Sequence, residues 1–177
     1  ISGGENMFMP DPKIDAVKPG PVGLHSIGGL LKHLPALTCL GSPTVNSYRR
    51  LWDTGFWAPV YADWGYQNRT CSVRVSAPGR VEYRSVDSTH NPYLMGAGIL
   101  KAFEDGLDNK FDPGEPEKKN IYDAMKEGKE VDKLPMTLGE AIQRLDSDNV
   151  IKAALPEDML RVFMHYKKDE WEKFLSA

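Results

Sequence analysis

The chain has 177 residues, of which 27% are charged and 41% hydrophobic, with a formal net charge of −3. This is the composition of a soluble domain long enough to bury one core. The charge balance excludes a global basic field for nucleic acid, and no apolar run reaches the length needed to span a bilayer.

The first twenty residues are rich in Gly, Pro and Lys and are expected to be irregular. Leu24, Ile27, Leu31 and Leu34 recur at helical spacing and predict a core-facing helix over 21–40. Pro35 is expected to kink that helix or end its first part. Gly28-Gly29 reads as close helix packing, because no strand precedes it as a phosphate loop requires. Residues 41–57 form a loop, and strands are expected near 58–64, 70–76 and 80–86. A three-residue connection, Ala77-Pro78-Gly79, with Gly79 in the left-handed region sets Arg74 opposite Glu82. Asn91-Pro92 is an N-cap and first-turn pair that opens a helix to about Asn109. Residues 110–135 are charged and read as a long exposed loop. Thr137 begins a capping-box pattern with Glu140, and a last helix starts near Pro156. The four histidines lack metal-ligand spacing and suit polar-surface or packing roles. Cys39 and Cys71 sit in apolar surroundings and read as buried thiols of a reducing compartment. With no visible leader, a cytoplasmic location is expected. The first residue is Ile1 and the end is amphipathic, which reads as a fragment or a processed chain.

The most informative stretch is Arg80-Val81-Glu82-Tyr83-Arg84. In a strand, period-2 alternation puts Arg80, Glu82 and Arg84 on one face and turns Val81 and Tyr83 to the core. By itself this is the pattern of a solvated, salt-bridged strand face. The preceding strand adds Arg74, with Arg69 leading into it. Four arginines around one carboxylate suit a site that holds phosphate and a metal ion.

The order of motifs resembles a family. Pro43-Thr44-Val45-Asn46-Ser47-Tyr48-Arg49-Arg50-Leu51, Ala58-Pro59-Val60, Asn68-Arg69-Thr70, Val73-Arg74-Val75, Arg80-Val81-Glu82-Tyr83-Arg84 and Asn91-Pro92-Tyr93-Leu94 are similar to the C-terminal catalytic region of glutamine synthetase. The resemblance covers roughly residues 19–165. It implies an α+β fold, with an antiparallel sheet and helices on one face, and an N-terminal domain and metal-ligand strands upstream of this chain. It also implies ATP-dependent ligation of L-glutamate to ammonia through γ-glutamyl phosphate. By that resemblance Glu82 is a ligand of Mg2+ or Mn2+. Arg69 touches both the transferred phosphoryl group and glutamate, Arg74 and Arg80 lie on the ATP side, and Arg50 and Arg84 hold glutamate. The family further implies a homo-oligomer of hexameric rings stacked in pairs as a dodecamer, each site shared between neighbouring subunits.

Several segments depart from the family pattern. The flap that usually carries a carboxylate reads Asp53-Thr54-Gly55-Phe56-Trp57-Ala58-Pro59. Asp53 is one candidate for that carboxylate; Phe56 and Trp57 alternatively line a pocket for a small alkylammonium. This variant resembles members that act as γ-glutamylmethylamide synthetases or as a second type of glutamine synthetase. Methylamine is therefore the rival acceptor, and a non-catalytic assembly homologue is a rival of another class. A guanidino-kinase-like phosphotransferase shares an arginine-rich sheet but fits the Asn-Ser-Tyr-Arg-Arg segment poorly. Tyr122 resembles a tyrosine that bacterial members adenylylate, although the residues after it differ. One carboxylate binds a divalent ion weakly, so this chain alone is expected to be inactive.

Overall fold

Helix α1, Pro21–Gly41, is the hub of the core. Pro21 occupies its first turn, where no intrahelical N–H is needed. The computed structural model describes residues 4–10, 16–52 and 58–177. Within these, α1 leads through a 3-10 turn, Val45–Tyr48, into α2, Arg49–Trp52. Strands β1 (Trp64–Tyr66), β2 (Val73–Ala77) and β3 (Arg80–Tyr83) follow. Then come α3 (Pro92–Asp108), α4 (Ile121–Lys126), α5 (Leu138–Ser147), α6 (Asn149–Lys152) and α7 (Glu157–Leu175).

Of the two expected outcomes at Pro35, an end to the first part of the helix does not occur: α1 continues through it to Gly41. A proline inside a helix costs about 3 kcal/mol. Here Ile27, Leu30, Leu34, Leu37 and Leu40 are all buried in one cluster with strand and α5 side chains, and burying each large aliphatic side chain is worth about 1.5–3 kcal/mol. Packing therefore outweighs the local penalty. The paired glycines act as the spacing suggests. A Cβ on Gly29 would lie 2.0 Å from the Ala102 carbonyl oxygen, and one on Gly106 2.3 Å from that of His25. Helices α1 and α3 thus cross backbone to backbone. His33 is buried at this interface. Its Nδ1 lies 2.6 Å from Asp148 Oδ2 and its Nε2 2.8 Å from Asp105 Oδ2, so one ring ties α1 to α3 and to the N-cap of α6.

The sheet has the order β1-β2-β3. The β2–β3 hairpin is antiparallel and pairs Arg74 with Glu82, as the sequence predicts. The register comes from a different device, a two-residue Pro78-Gly79 turn plus an irregularity between Val75 and Ala77. Gly79 has φ 69°, which suits the third position of a type II turn with proline before it. Such a turn does not match strand twist, and the bulge restores the fit. The β1–β2 pair is parallel, not antiparallel, with Trp64 beside Val73. Parallel neighbours usually need a long crossover. Three-residue β1 spans only about 10 Å, however, so residues 67–72 suffice to bring the chain back. The first strand is also later and shorter than expected. Residues 60–62 instead bond to 132–134, through Leu134 N to Val60 O at 2.9 Å and Ala62 N to Asp132 O at 2.8 Å.

Asn91 caps α3 by accepting from the N–H groups of Tyr93 and Leu94, and Thr137 caps α5 by accepting from Glu140 N. The 110–135 stretch is not a plain exposed loop. It contains α4 and buries Ile121, Ala124 and Leu134. Lys129 Nζ bridges Asp63 Oδ2 at 2.5 Å and Glu117 Oε2 at 2.7 Å, which pins the stretch beside β1. Helices pack on one face of the sheet, where Val73 and Val75 are fully buried. The opposite face carries the charges.

Candidate active site

The outer face of the hairpin assembles a cationic cavity. Arg69, Arg74, Glu82 and Arg84 line a space of about 450 Å³, within the range of small-molecule sites. Three guanidinium groups against one carboxylate leave two positive charges in excess. Arg74 Nε lies 2.9 Å from Glu82 Oε2, and Arg84 Nε lies 3.8 Å from Glu82 Oε1. The Arg74 N–H is not aligned on the oxygen, so this is an ion pair without a hydrogen bond. Arg74 Nε and Glu82 Oε2 are both buried with no hydrogen-bond partner among the described residues. Burial pushes the Arg84 guanidinium below its ordinary value, Glu82 opposes that, and Arg74 and Arg69 add to it. Arginine remains charged even so. The crowding of like charges therefore favours an incoming anion.

The loop that presents Arg69 is bolted down on both sides. Asn68 Oδ1 accepts from Thr70 N at 3.0 Å and from Thr70 Oγ1 at 2.7 Å. Asn68 Nδ2 donates to Lys119 O at 2.7 Å, and Thr70 Oγ1 accepts from Ile121 N at 3.0 Å. Arg84 Nη1 donates to the Arg69 carbonyl. The start of α4 is thereby joined to the cavity rim. Sequence reasoning saw Asn68-Arg69-Thr70 as a motif but not this anchoring role. An Asx-turn pattern, Asn two residues before Thr, was the available signal.

Two predicted residues lie outside this cavity lining. Arg80 is exposed at the hairpin turn, paired in register with Ala77. Arg50 sits on α2, where its Nη2 donates to Ser42 Oγ at 3.2 Å. Asp53 and Trp57, and Phe56 with them, lie outside the described residues. Tyr122 is half-buried, and its hydroxyl donates to Ala58 O at 3.1 Å. Cys39 and Cys71 are buried free thiols, each pushed up to about 12 by burial. They are inert at neutral pH.

A divalent cation at this cavity would need several oxygen donors. Among the described residues no group of three or more His, Cys, Asp or Glu is placed to hold one. Glu82 nevertheless offers a buried carboxylate oxygen that no hydrogen bond satisfies. A hard cation takes oxygen ligands and needs about six. Glu82 could serve as one such ligand, and the described residues supply no complete set with it.

The family model for the glutamine synthetase catalytic domain matches residues 1–177. The chain belongs to the glutamine synthetase family. Glutamine synthetase from Pyrococcus woesei is 42% identical over 179 residues, covering 97% of this chain and 39% of that protein. The Pyrococcus abyssi enzyme is 44% identical over 180 residues, with the same coverage. A solved GmaS–ADP complex superposes with a TM-score of 0.90 at 34% identity, over 99% of this chain and 41% of its own. Ligand-free GmaS gives a TM-score of 0.88. The chain therefore spans about two-fifths of the length of the glutamine synthetases it matches. Its α+β architecture is shared with these proteins.

Proposed function

We propose that the protein carrying this chain ligates L-glutamate to ammonia, consuming ATP through γ-glutamyl phosphate and releasing glutamine, ADP and phosphate. The observation that carries this reading is the cavity in which Arg69, Arg74 and Arg84 converge on Glu82. Phosphoryl transfer demands positioned positive charge around the moving group more than covalent chemistry by the protein. In this reading Arg74 and exposed Arg80 meet the nucleotide phosphates. Arg69 bridges the phosphoryl group and glutamate, and Arg84 with Arg50 binds glutamate carboxylate. Glu82 supplies one ligand of Mg2+ or Mn2+, the other ligands coming from outside the described residues. A cation held there by Glu82 would supply neutralisation of phosphate charge. We place the enzyme in the cytoplasm as paired hexameric rings, as the family implies.

A second acceptor is supported by a specific observation, the structural likeness to GmaS, a γ-glutamylmethylamide synthetase. The higher identity to glutamine synthetases favours ammonia. Phosphate release by the full-length protein, with ATP and glutamate saturating and either ammonium or methylamine varied, tests the assignment. We expect the larger kcat/KM with ammonium. A larger value with methylamine transfers the assignment to the amine ligase. No amine-dependent release with either acceptor rejects ligation and supports a non-catalytic homologue.

A further inference from the structure

Arg50 stands apart from the cavity arginines, and its surroundings are unusually well defined. Its Nη2 donates to the hydroxyl of Ser42 at 3.2 Å. Ser42 is buried and directly follows α1, where its own N–H donates to Thr38 O at 2.8 Å. The adjoining Nε of Arg50 is buried without a hydrogen-bond partner among the described residues. Among the described residues the guanidinium is therefore held from one side, by Ser42.

A second element fixes the backbone beneath it. Asp87 follows β3, three residues beyond Arg84, and its N–H donates to Gly41 O at 2.9 Å. Its Oδ1 accepts from Thr89 N at 2.8 Å and from Thr89 Oγ1 at 2.5 Å. Thr89 Oγ1 lies 3.5 Å from Ser47 Oγ. Ser47 closes a capping box with Thr44 at the 3-10 turn that ends just before Arg50. Burial alone would raise the Asp87 carboxyl. Hydrogen bonds from Ser47 and Thr89, with the field of Arg50, hold it below the usual carboxylate range. The end of α1, the exit of β3 and the approach to Arg50 are thus laced together around one anion.

We propose that Ser42 and Asp87 are positioning residues for glutamate binding: Ser42 orients the Arg50 guanidinium, and Asp87 fixes the 3-10 turn that leads into α2, on which Arg50 sits, relative to Arg84. The proposal rests on the ligase reading above, in which Arg50 and Arg84 receive the amino-acid substrate. The two arginines then act as a pair with a set separation, and a substrate with anionic ends is selected by that spacing. Neither positioning residue lines the arginine cavity, so nucleotide binding is independent of both.

The test is steady-state kinetics on the full-length protein with Ser42→Ala, Ser42→Thr and Asp87→Asn. Asn keeps the acceptor for Thr89 but removes the charge. The loss of a hydrogen bond to a charged group corresponds to roughly tenfold in affinity or more. We expect KM for glutamate to rise roughly tenfold in Ser42→Ala and Asp87→Asn, with kcat and KM for ATP within about twofold of wild type. Ser42→Thr retains the hydroxyl and should restore KM for glutamate. An Arg50→Lys background should abolish the effect of Ser42→Ala. Unchanged KM for glutamate, equal rises in both KM values, or no rescue by threonine overturns the proposal. If Asp87→Asn misfolds by circular dichroism, the Ser42 pair decides. A wild-type protein without glutamate-dependent phosphate release overturns the ligase reading and this inference together. An active wild type with silent variants overturns this inference alone.

Discussion

Replacing His33 with leucine should destabilise the protein strongly and in a pH-dependent way. The ring is 4% exposed, and both nitrogens face carboxylates, Asp148 at 2.6 Å and Asp105 at 2.8 Å. Only the imidazolium donates from both nitrogens; the neutral ring leaves one carboxylate facing a lone pair. Lys32 Nζ also lies 3.9 Å from Asp105 Oδ2. Leucine fills similar volume but strands two largely buried carboxylates. Removing one partner of a buried charge network costs about 3–5 kcal/mol. For a chain of this size that is a fall in Tm of roughly 6–20 °C.

The pH dependence has a defined sign. Burial lowers the His33 pKa, but the hydrogen bonds and charges of Asp148 and Asp105 outweigh it, so the folded value lies above the ordinary 6.5. Its contribution is therefore complete below pH 6.5 and lost as pH rises through the folded value. Asp148 is opposite. Burial raises it, but His33 and the α6 amides prevail and hold it below 3.8, so its share is lost as pH falls through that lowered value. Urea denaturation of wild type and His33→Leu at pH 5.5, 7.5 and 9.5 measures the difference. The gap should be widest at pH 5.5 and narrow toward 9.5. A gap below about 0.5 kcal/mol, or one that does not change with pH, refutes the reasoning.

Three further outcomes are expected. Arg69→Ala in the full-length protein should lower kcat by about 10²–10³-fold, the usual loss for one preorganised charge donor, while the Tm moves little; kinetics beside a thermal melt check this. Gly106→Ala forces a methyl to within 2.3 Å of the His25 carbonyl oxygen and should cost about 1–3 kcal/mol as α1 and α3 separate, read from the urea midpoint. The chain by itself should bind neither Mg2+ nor ATP tightly, since one carboxylate cannot supply the roughly six oxygens a small divalent ion requires. Calorimetry with both ligands tests this, and strong binding of both would contradict it.

What was legible in the sequence was what local periodicity encodes. Alternation in Arg80–Arg84 put Glu82 and Arg84 on the outer face, and a reversal over Ala77-Pro78-Gly79 set Arg74 against Glu82, although the two-residue turn and bulge that produce this register were not legible. Caps at Asn91 and Thr137 were equally local. The features that were missed depend on partners distant in sequence. Helix α1 survives Pro35 because strand and α5 side chains bury its leucines, which no window around Pro35 reveals. His33 reads as an ordinary polar residue until Asp105 and Asp148, 72 and 115 positions away, close around it. The arrangement of the site follows the same division. A hairpin can align Arg74, Glu82 and Arg84 by register alone, because every second residue shares a face. Arg69 comes from a loop and Arg50 from the short helix α2, so neither can use strand register. Arg69 is anchored by Asn68 and Thr70 to residues 119–121, and Arg50 by Ser42 to the end of α1. Substitutions at those anchors should therefore move a binding constant, whereas substitutions in the hairpin should disturb the charge array itself.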